Sequence, residues 1–191
     1  MRPLILASAS PRRAELLRQV GYTFKVCPST VTEEAWEEAP PAGVESLALN
    51  KSLDVASSLA QGVVLGADTV VCCAGKILGK PAGEQEAIDT LKLLRGHRHE
   101  VITGIALVDA ADRRRVVTDH LCTDVWMRNL DDDEILYYVR SGEPLDKAGA
   151  YGIQGFASVF IERLEGCYFN VVGLPLGLVY HHLARWGIRP F

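Results

Sequence analysis

Asp68 is the ionisable residue whose neighbours say most about the chemistry of this chain. It lies in Val-Val-Leu-Gly-Ala-Asp-Thr-Val-Val-Cys-Cys, residues 63–73, a segment that reads as a buried strand. An unpaired carboxylate in an apolar layer costs on the order of several kcal/mol, so Asp68 must meet a cation, a metal ion, a cleft or hydrogen-bond donors. Gly66 and Ala67 leave room for a ligand, and Thr69 offers a hydroxyl. The alternative is an aspartate that closes a turn between two shorter strands.

Hydroxyl and guanidinium groups cluster at a predicted helix start, in Ser-Ala-Ser-Pro-Arg-Arg, residues 8–13. Ser10 is the expected N-cap and Pro11 the first helical residue. Arg12 and Arg13 then lie on the first turn, where the helix dipole disfavours cations. Free amides, hydroxyls and two guanidinium groups together favour a phosphate chain as the partner. The alternative is a pair of solvated arginines that point away from the terminus.

Two lysines supply further positive charge. Lys80 lies in Ile-Leu-Gly-Lys-Pro, residues 77–81, where glycine and proline fix the backbone and so aim the side chain. Lys51 lies early on an amphipathic helix predicted over residues 44–59, a position typical of a surface lysine. No Gly-x-x-x-x-Gly-Lys-Ser/Thr sequence occurs, which excludes a P-loop.

A glycine-rich segment, residues 141–155, is the last candidate and is called the late loop below. It contains Glu-Pro-Leu-Asp-Lys-Ala-Gly-Ala-Tyr-Gly-Ile-Gln-Gly from residue 143 onward. Its glycines allow a ligand to approach the backbone, and Gln154 can both donate to and accept from a base edge. The alternative is a connecting loop that needs glycine only for its turns.

Composition narrows the class of protein. A chain of 191 residues suits one domain, in which two lobes around a cleft are allowed. No apolar run approaches the roughly 20 residues that span a bilayer, and the short apolar start passes directly into Pro-Arg-Arg, so we expect a cytoplasmic protein without membrane contact. Five cysteines without a Cys-x-x-Cys pair suggest neither a disulfide framework nor a zinc site. A net charge of −4 argues against nucleic-acid binding but allows cations aimed at one phosphorylated ligand.

Strand and helix patterns alternate along the chain, with a strand meander in the middle, which predicts an α/β protein with a mixed sheet. The predicted strands are residues 4–7, 24–27, 63–73, 101–108, 116–126, 159–163 and 169–172. The first predicted helix starts at Ser10 and ends before Gly21. Further helices are predicted over residues 44–59, 84–94 and 131–140, and a last helix begins at Pro175. The acidic run at 131–134 is interpreted as a helix cap.

These segments together resemble the Maf family of nucleoside triphosphate pyrophosphatases. The resemblance rests on Ser-Pro-Arg-Arg, Gly-Ala-Asp-Thr, Gly-Lys-Pro, Asp-Lys-Ala-Gly-Ala-Tyr-Gly-Ile-Gln-Gly and Asn-Val-Val-Gly-Leu-Pro-Leu, in the family's order over the whole chain. It implies a mixed twisted sheet with flanking helices and a central cleft, similar to the inosine-triphosphate pyrophosphatases. It also implies hydrolysis of a nucleoside triphosphate to the monophosphate and pyrophosphate with a divalent metal cation, Mg, Mn or Co.

The resemblance further implies the branch that acts on dTTP and UTP. That branch carries arginine after Ser-Pro, threonine after Gly-Ala-Asp and glutamine in the late loop, which here are Arg12, Thr69 and Gln154. These three residues are the candidates for base selection. The motifs of the branch that acts on 7-methyl-GTP do not occur.

The remaining candidates follow from the chemistry of attack on the α-phosphorus. Asp68 is the candidate general base or metal ligand, and Glu33 the second metal-binding carboxylate, with Glu34 as the alternative for that position. The candidates that bind the phosphates are Ser10, Arg13, Lys51 and Lys80.

Two rival functions remain open at this stage. One is an enzyme that acts mainly on modified pyrimidine nucleotides. The other is a nucleotide-binding regulator of cell division, in which hydrolysis is secondary. The family resemblance also allows a homodimer.

Overall fold

The structure is a computed structural model that describes residues 2–32 and 39–191. Glu33 and Glu34, the two candidates for the second acidic site residue, lie outside the described residues. The strands are β1 (Leu4–Leu6), β2 (Phe24–Val26), β3 (Val63–Cys73), β4 (Lys76–Leu78), β5 (Arg98–Asp109), β6 (Val116–Met127) and β7 (Ile161–Glu165). The helices are α1 (Pro11–Gln19), α2 (Pro40–Ser57), α3 (Glu84–Leu94), α4 (Asp132–Arg140), α5 (Tyr168–Val172) and α6 (Leu176–Arg185). Short 3₁₀ turns cover Glu143–Asp146, Ala148–Ala150 and Phe156–Phe160.

The strands of the described part of the chain form a seven-stranded sheet in the order β2-β1-β3-β5-β6-β7, with β4 paired to β3. Parallel and antiparallel pairs both occur in it. The predicted α/β class with a mixed sheet and helices is confirmed. The chain forms two compact units, each described by itself below. Unit 1 is Met1–Asp68, Thr103–Leu121 and Gly173–Phe191, and unit 2 is Thr69–Ile102 and Cys122–Val172.

In unit 1, β1 pairs in parallel with both of its neighbours, so that Leu4 lies opposite Phe24 on one side and Val63 on the other. Helix α1 follows with Pro11 at its first position, where the missing N–H is of no consequence. It ends as predicted at Gly21, whose φ of 86° suits glycine.

Helix α2 lies unusually close to the sheet in unit 1. Its buried residues recur at helical spacing and form one face: Val44, Leu47, Ala48, Lys51, Ser52, Val55. Gly66 in β3 lets that face approach, because a Cβ there would overlap the carbonyl oxygen of Ala48 and the hydroxyl of Ser52. Gly104 in β5 does the same, since its Cβ would lie 2.5 Å from the carbonyl carbon of Val44. Backbone therefore packs directly on backbone at two points.

In unit 2, the end of β3 pairs antiparallel with β4, and β6 pairs antiparallel with β7. The largest side chains of its core include Leu91, Met127, Ile135, Tyr138 and Phe160. Helix α4 begins with a capping box, in which the Asp131 carboxylate accepts from the Glu134 N–H at 2.8 Å and Glu134 accepts from the Asp131 N–H at 3.0 Å. The interpretation of the acidic run as a helix cap is confirmed.

One predicted strand is wrong. Residues 169–172 belong to helix α5, because the Cys167 carbonyl accepts the N–H groups of Asn170 and Val171 at 3.1 and 3.3 Å. The buried Asn170 side chain also donates to the Val101 carbonyl at 2.9 Å and to the Thr123 hydroxyl at 3.0 Å. These bonds override the strand preference of the two valines.

Other boundaries also differ from the prediction, including the start of β5, which lies at Arg98 instead of residue 101. Helix α2 begins at Pro40 instead of residue 44, since proline suits the first helical position. Strand β7 begins at Ile161 instead of residue 159, because Phe156–Phe160 forms a 3₁₀ turn. Within residues 2–32 and 39–191, no helix has both the length and the apolar character needed to cross a bilayer.

We expect Gly66→Ala to lower the free energy of unfolding by about 1 to 3 kcal/mol, because the new Cβ displaces α2 from β3. Gly177→Ala is the matched control, since nothing lies within 4 Å of a Cβ at that position in α6. Helix propensity predicts that this control is neutral or gains up to about 1 kcal/mol. Urea unfolding of both variants makes the comparison, and equal stabilities would show that α2 does not depend on Gly66.

Candidate functional site

Asp68 forms a buried ion pair with Lys51. The Lys51 Nζ lies 2.8 Å from the Asp68 Oδ1, and each residue is 6% exposed. Strand β3 runs without interruption through Asp68, so the alternative of a turn between two shorter strands is wrong. Lys51 is likewise not a surface lysine, because it lies on the buried face of α2. Of the partners that the sequence allowed for Asp68, a cation is therefore present within unit 1.

The close packing of α2 explains why Lys51 reaches Asp68. Ser52, the residue after Lys51, donates to the Ala106 carbonyl at 3.2 Å and so ties α2 to β5. Gly66 lies two residues before Asp68, on the strand that receives the helix. Since a lysine side chain is long and flexible, a fixed helix is what limits the positions its ammonium can take.

Arg13 connects the start of α1 to the residue before Asp68. Its Nη1 donates to the Ala67 carbonyl at 2.9 Å and to the Ser8 hydroxyl at 3.2 Å, and its Nε donates to the Gly173 carbonyl at 2.8 Å. A solvated arginine does not fit these three hydrogen bonds. Arg13 therefore fixes the backbone next to Asp68, and phosphate binding by Arg13 stays a prediction.

Ser10 and Arg12 occupy the predicted places on α1. Ser10 is the N-cap residue, but its side chain makes no capping hydrogen bond, and its N–H donates to the Ser8 hydroxyl at 3.2 Å. Arg12 lies half-buried on the first turn, which holds no acidic residue. Their roles in phosphate binding and base selection stay predictions.

Thr69, Lys80 and Gln154 lie in unit 2. Thr69 is half-buried, whereas Lys80 and Gln154 are exposed. The Gly149 N–H donates to the Gly79 carbonyl at 3.1 Å, which joins the loop that carries Lys80 to the late loop. Gly149 has a φ of 69°, and its Cβ would lie 2.7 Å from a Val71 methyl group, so glycine is required there.

Sequence reasoning missed two residues whose side chains hold the late loop, Glu143 and Tyr138. The Glu143 carboxylate and the Tyr138 hydroxyl contact backbone amides on both sides of Gln154. The glycines at 152 and 155 signalled a close approach to the backbone, but their spacing does not say which side chain approaches.

A buried histidine accompanies the late loop in unit 2. His99 Nε2 lies 2.8 Å from the Tyr151 hydroxyl, and burial lowers the pKa of His99 to about 4 against smaller opposing effects of the His97 backbone and Asp124. Burial also raises the pKa of Tyr151. Both groups are therefore neutral at pH 7 and add no charge to the site.

Comparison with known proteins decides the family. The family described as "Maf-like protein" matches residues 3–186. This chain belongs to the Maf-like protein family. The predicted family membership is confirmed.

Relatives of known name extend over nearly the whole chain. A dTTP/UTP pyrophosphatase of Desulforamulus reducens is 50% identical over 191 residues, which is 99% of this chain and 99% of that protein. A dTTP/UTP pyrophosphatase of Moorella thermoacetica is 50% identical over 189 residues, which is 98% of this chain and 97% of that protein. Among solved structures, a HAM1 protein from Coxiella burnetii matches with a TM-score of 0.48 and 17% identity, covering 78% of this chain and 86% of that one.

A hard divalent cation prefers oxygen ligands, and the side chains of this Maf-like chain can be examined for groups that could bind one. Among the residues that the structure describes, no three His, Cys, Asp or Glu side chains come together to hold a metal ion by themselves. Mg²⁺ is commonly held by one or two carboxylates together with substrate phosphates. Asp68 supplies one such carboxylate, whose Oδ1 is already bound by Lys51.

The buried Lys51–Asp68 ion pair leads to a prediction about the free energy of unfolding. Lys51→Met leaves a buried carboxylate without its cation, and Asp68→Asn leaves a buried ammonium without its anion, so each change should lower the free energy of unfolding by about 3 to 5 kcal/mol. The double variant should lose much less free energy of unfolding than the sum of the losses in the two single variants. Urea unfolding of the four proteins measures the coupling.

The exposed pair of Arg163 and Glu165, 2.5 Å apart, is the control for that cycle. Its replacement by Met and Gln should show a far smaller coupling, because both side chains are 63% exposed and water screens them. Additive losses at Lys51 and Asp68 would mean that the two charges do not depend on each other.

Proposed function

We propose that this chain hydrolyses dTTP and UTP to the nucleoside monophosphate and pyrophosphate. The observation that carries the proposal is that relatives 50% identical over nearly their full length bear the name dTTP/UTP pyrophosphatase. The buried Lys51–Asp68 pair supports it, because a fixed carboxylate beside a fixed cation suits hydrolysis of a phosphate anhydride.

In this proposal Asp68 acts on the water that attacks the α-phosphorus. Lys51 holds Oδ1 at 2.8 Å, and this contact restrains one oxygen of the carboxylate. We assign Oδ2 to the attacking water, whose proton it accepts as the phosphorus–oxygen bond forms. The bond between the α-phosphorus and the bridging oxygen then breaks, and pyrophosphate leaves with the electron pair.

Cations and hydroxyls of the chain would neutralise the triphosphate. We assign this role to Arg13, Lys51 and Lys80, with the Ser10 hydroxyl at the start of α1. Arg13 is already oriented by the carbonyls of Ala67 and Gly173. A preorganised guanidinium loses little freedom when the substrate binds.

A divalent cation is part of the proposal, and Asp68 and Glu33 are the residues that would hold it. When bound, it would polarise the phosphate oxygens and offset their negative charge. The carboxylate chemistry of Asp68 fits a cation of the Mg, Mn or Co type that is shared with the substrate.

Base selection is assigned to Gln154, Thr69 and Arg12. The amide of Gln154 carries a donor and an acceptor on one plane, which complements the carbonyl oxygens and N–H of uracil or thymine. Its exposure in the late loop leaves it accessible to a base. Modified pyrimidines that keep this edge would also be substrates.

The direct test is pyrophosphate release from UTP, dTTP, CTP, ATP and GTP with magnesium, manganese or cobalt. We expect UTP and dTTP to be hydrolysed fastest and Asp68→Asn to retain less than about a tenth of the wild-type kcat, a loss above ~1.4 kcal/mol. Asp89→Asn is the matched control, an equally small change on the exposed side of α3, and should leave kcat unchanged.

Two outcomes would contradict the proposal. Saturable nucleotide binding without pyrophosphate release would favour a nucleotide-binding regulator. Full activity of Asp68→Asn would make the buried pair structural.

Selectivity gives a separate prediction. Cytosine replaces one carbonyl of uracil with an amine and the N–H with an acceptor nitrogen, and each mismatch should cost about 1 to 3 kcal/mol. We therefore expect the wild type to prefer UTP over CTP by at least about tenfold in kcat/KM. Gln154→Ala should lower UTP and dTTP activity and flatten this preference.

Gln85→Ala provides the matched control, because Gln85 is an exposed glutamine on α3 whose side chain donates to Asp89 at 3.1 Å. It should leave the ratio of UTP to CTP activity at the wild-type value. Arg12→Ala and Thr69→Ala should each weaken the preference less than Gln154→Ala. A Gln154→Ala variant with the wild-type ratio would remove Gln154 from base recognition.

A further inference from the structure

The Glu143 carboxylate accepts hydrogen bonds from residues on either side of the late loop. Its Oε1 accepts from the Tyr138 hydroxyl at 3.0 Å, and its Oε2 accepts from the Phe156 N–H at 3.3 Å. Glu143 begins the 3₁₀ turn Glu143–Asp146, thirteen residues before Phe156 along the chain. One side chain therefore joins the two ends of the loop.

Tyr138 extends this contact to the backbone on the other side of Gln154. Its hydroxyl oxygen accepts from the Gly152 N–H at 3.1 Å while its proton goes to Glu143. The ring is fully buried in unit 2, and burial raises the pKa of Tyr138, so the hydroxyl keeps its proton at neutral pH. Gly152 and Phe156 are each two residues from Gln154. We call Glu143 and Tyr138 the loop clamp.

Packing shows how closely the clamp lies against the loop. A Cβ on Gly155 would overlap the Glu143 carboxylate, and a Cβ on Gly152 would lie 2.6 Å from Cε of Lys147. The Lys147 ammonium donates to the Glu143 carbonyl at 2.6 Å, which fixes the backbone of the clamp residue itself. Glycine at 155 is therefore needed because a carboxylate occupies the space of its side chain.

Apolar contacts reinforce the same segment. The Phe156 ring stacks on the Tyr138 ring with centroids 5.9 Å apart and meets the Phe160 ring edge-on at 5.6 Å. Gln154 itself stays exposed between these fixed points. An amide that discriminates bases must be held within a fraction of an ångström, which an irregular loop does not achieve without supporting contacts.

We infer that Glu143 and Tyr138 are positioning residues for base selectivity, because they hold the segment from Gly152 to Phe156 and thereby orient Gln154. The inference rests on the proposed function, since it concerns how that site tells uracil from cytosine. A clamp that only stabilises the fold would change the stability of unit 2 and leave the ratio of UTP to CTP activity as it is.

The main experiment compares kcat/KM for UTP and CTP in the wild type, Glu143→Ala and Glu143→Gln. We expect Glu143→Ala to reduce the UTP-to-CTP ratio at least about threefold, because Gln154 is no longer held in one orientation. Glu143→Gln should restore most of the ratio, since its amide oxygen can accept from the Phe156 N–H and its amide N–H can donate to the Tyr138 oxygen. Glu165→Gln, an exposed change on β7, should leave the ratio unchanged.

Gly155→Ala disturbs the loop clamp without changing either of its two residues. Its methyl group displaces the Glu143 carboxylate, so this variant should reproduce the loss of selectivity seen in Glu143→Ala. The double variant should be no less selective than either single variant, because both remove the same contact. Tyr138→Phe should also reduce the ratio, and it provides the measurement if Glu143→Ala does not fold.

The outcomes separate the two proposals. A wild type without preference for UTP over CTP would contradict the proposed base selection and this inference with it. A wild type with that preference, together with folded Glu143→Ala and Tyr138→Phe variants that keep the ratio, would contradict the loop clamp alone. Faster hydrogen exchange at the amides of Gly152 and Phe156 in Glu143→Ala would support the clamp, and unchanged exchange would overturn it.

Discussion

The buried contact between Lys51 and Asp68 is the interaction on which the rest of unit 1 depends. Neither charge is stable in the apolar interior without the other, so the helix and the strand that carry them must approach closely. Gly66 makes that approach possible by leaving space for the backbone of α2. Arg13 fixes the neighbouring carbonyl of Ala67, so the backbone that holds Asp68 is bound from a second direction. The close approach of α2 to β3 is thus what brings the two buried charges together.

Such a pair gives little stability in return for its desolvation, because apolar residues of the same volume often serve as well or better. In the proposed function its value lies in fixed charge, which would act on a reacting phosphate without reorganisation. In unit 2 the constraint concerns the position of Gln154. Under the proposed base selection, Gln154 must be accessible to a base and yet be held still. It is exposed, and the hydrogen bonds of Glu143 and Tyr138 fix the backbone on both sides of it.

Much of the fold follows from sequence pattern. Strand β3 and helix α3 were predicted with their observed bounds, because a continuous apolar run and a strong helical period are both local signals. Helix α5 was predicted as a strand, since its local pattern is valine-rich and the decisive Asn170 bonds come from distant residues. For the same reason the sequence indicated that Asp68 needs a cation, a metal ion, a cleft or hydrogen-bond donors, without identifying Lys51 as its partner. The role of Glu143 was not predictable, because its partner amide lies thirteen residues away in an irregular loop.

We propose that water attacks the α-phosphorus of a pyrimidine nucleoside triphosphate and that Asp68 is the group that acts on that water. The most direct measurement is hydrolysis of UTP in ¹⁸O-labelled water, followed by mass spectrometry of the products. We expect one labelled oxygen in UMP, unlabelled pyrophosphate, and label incorporation by Asp68→Asn at less than about a tenth of the wild-type rate. Label in pyrophosphate, release of UDP and phosphate, or undiminished labelling of UMP by Asp68→Asn would contradict it.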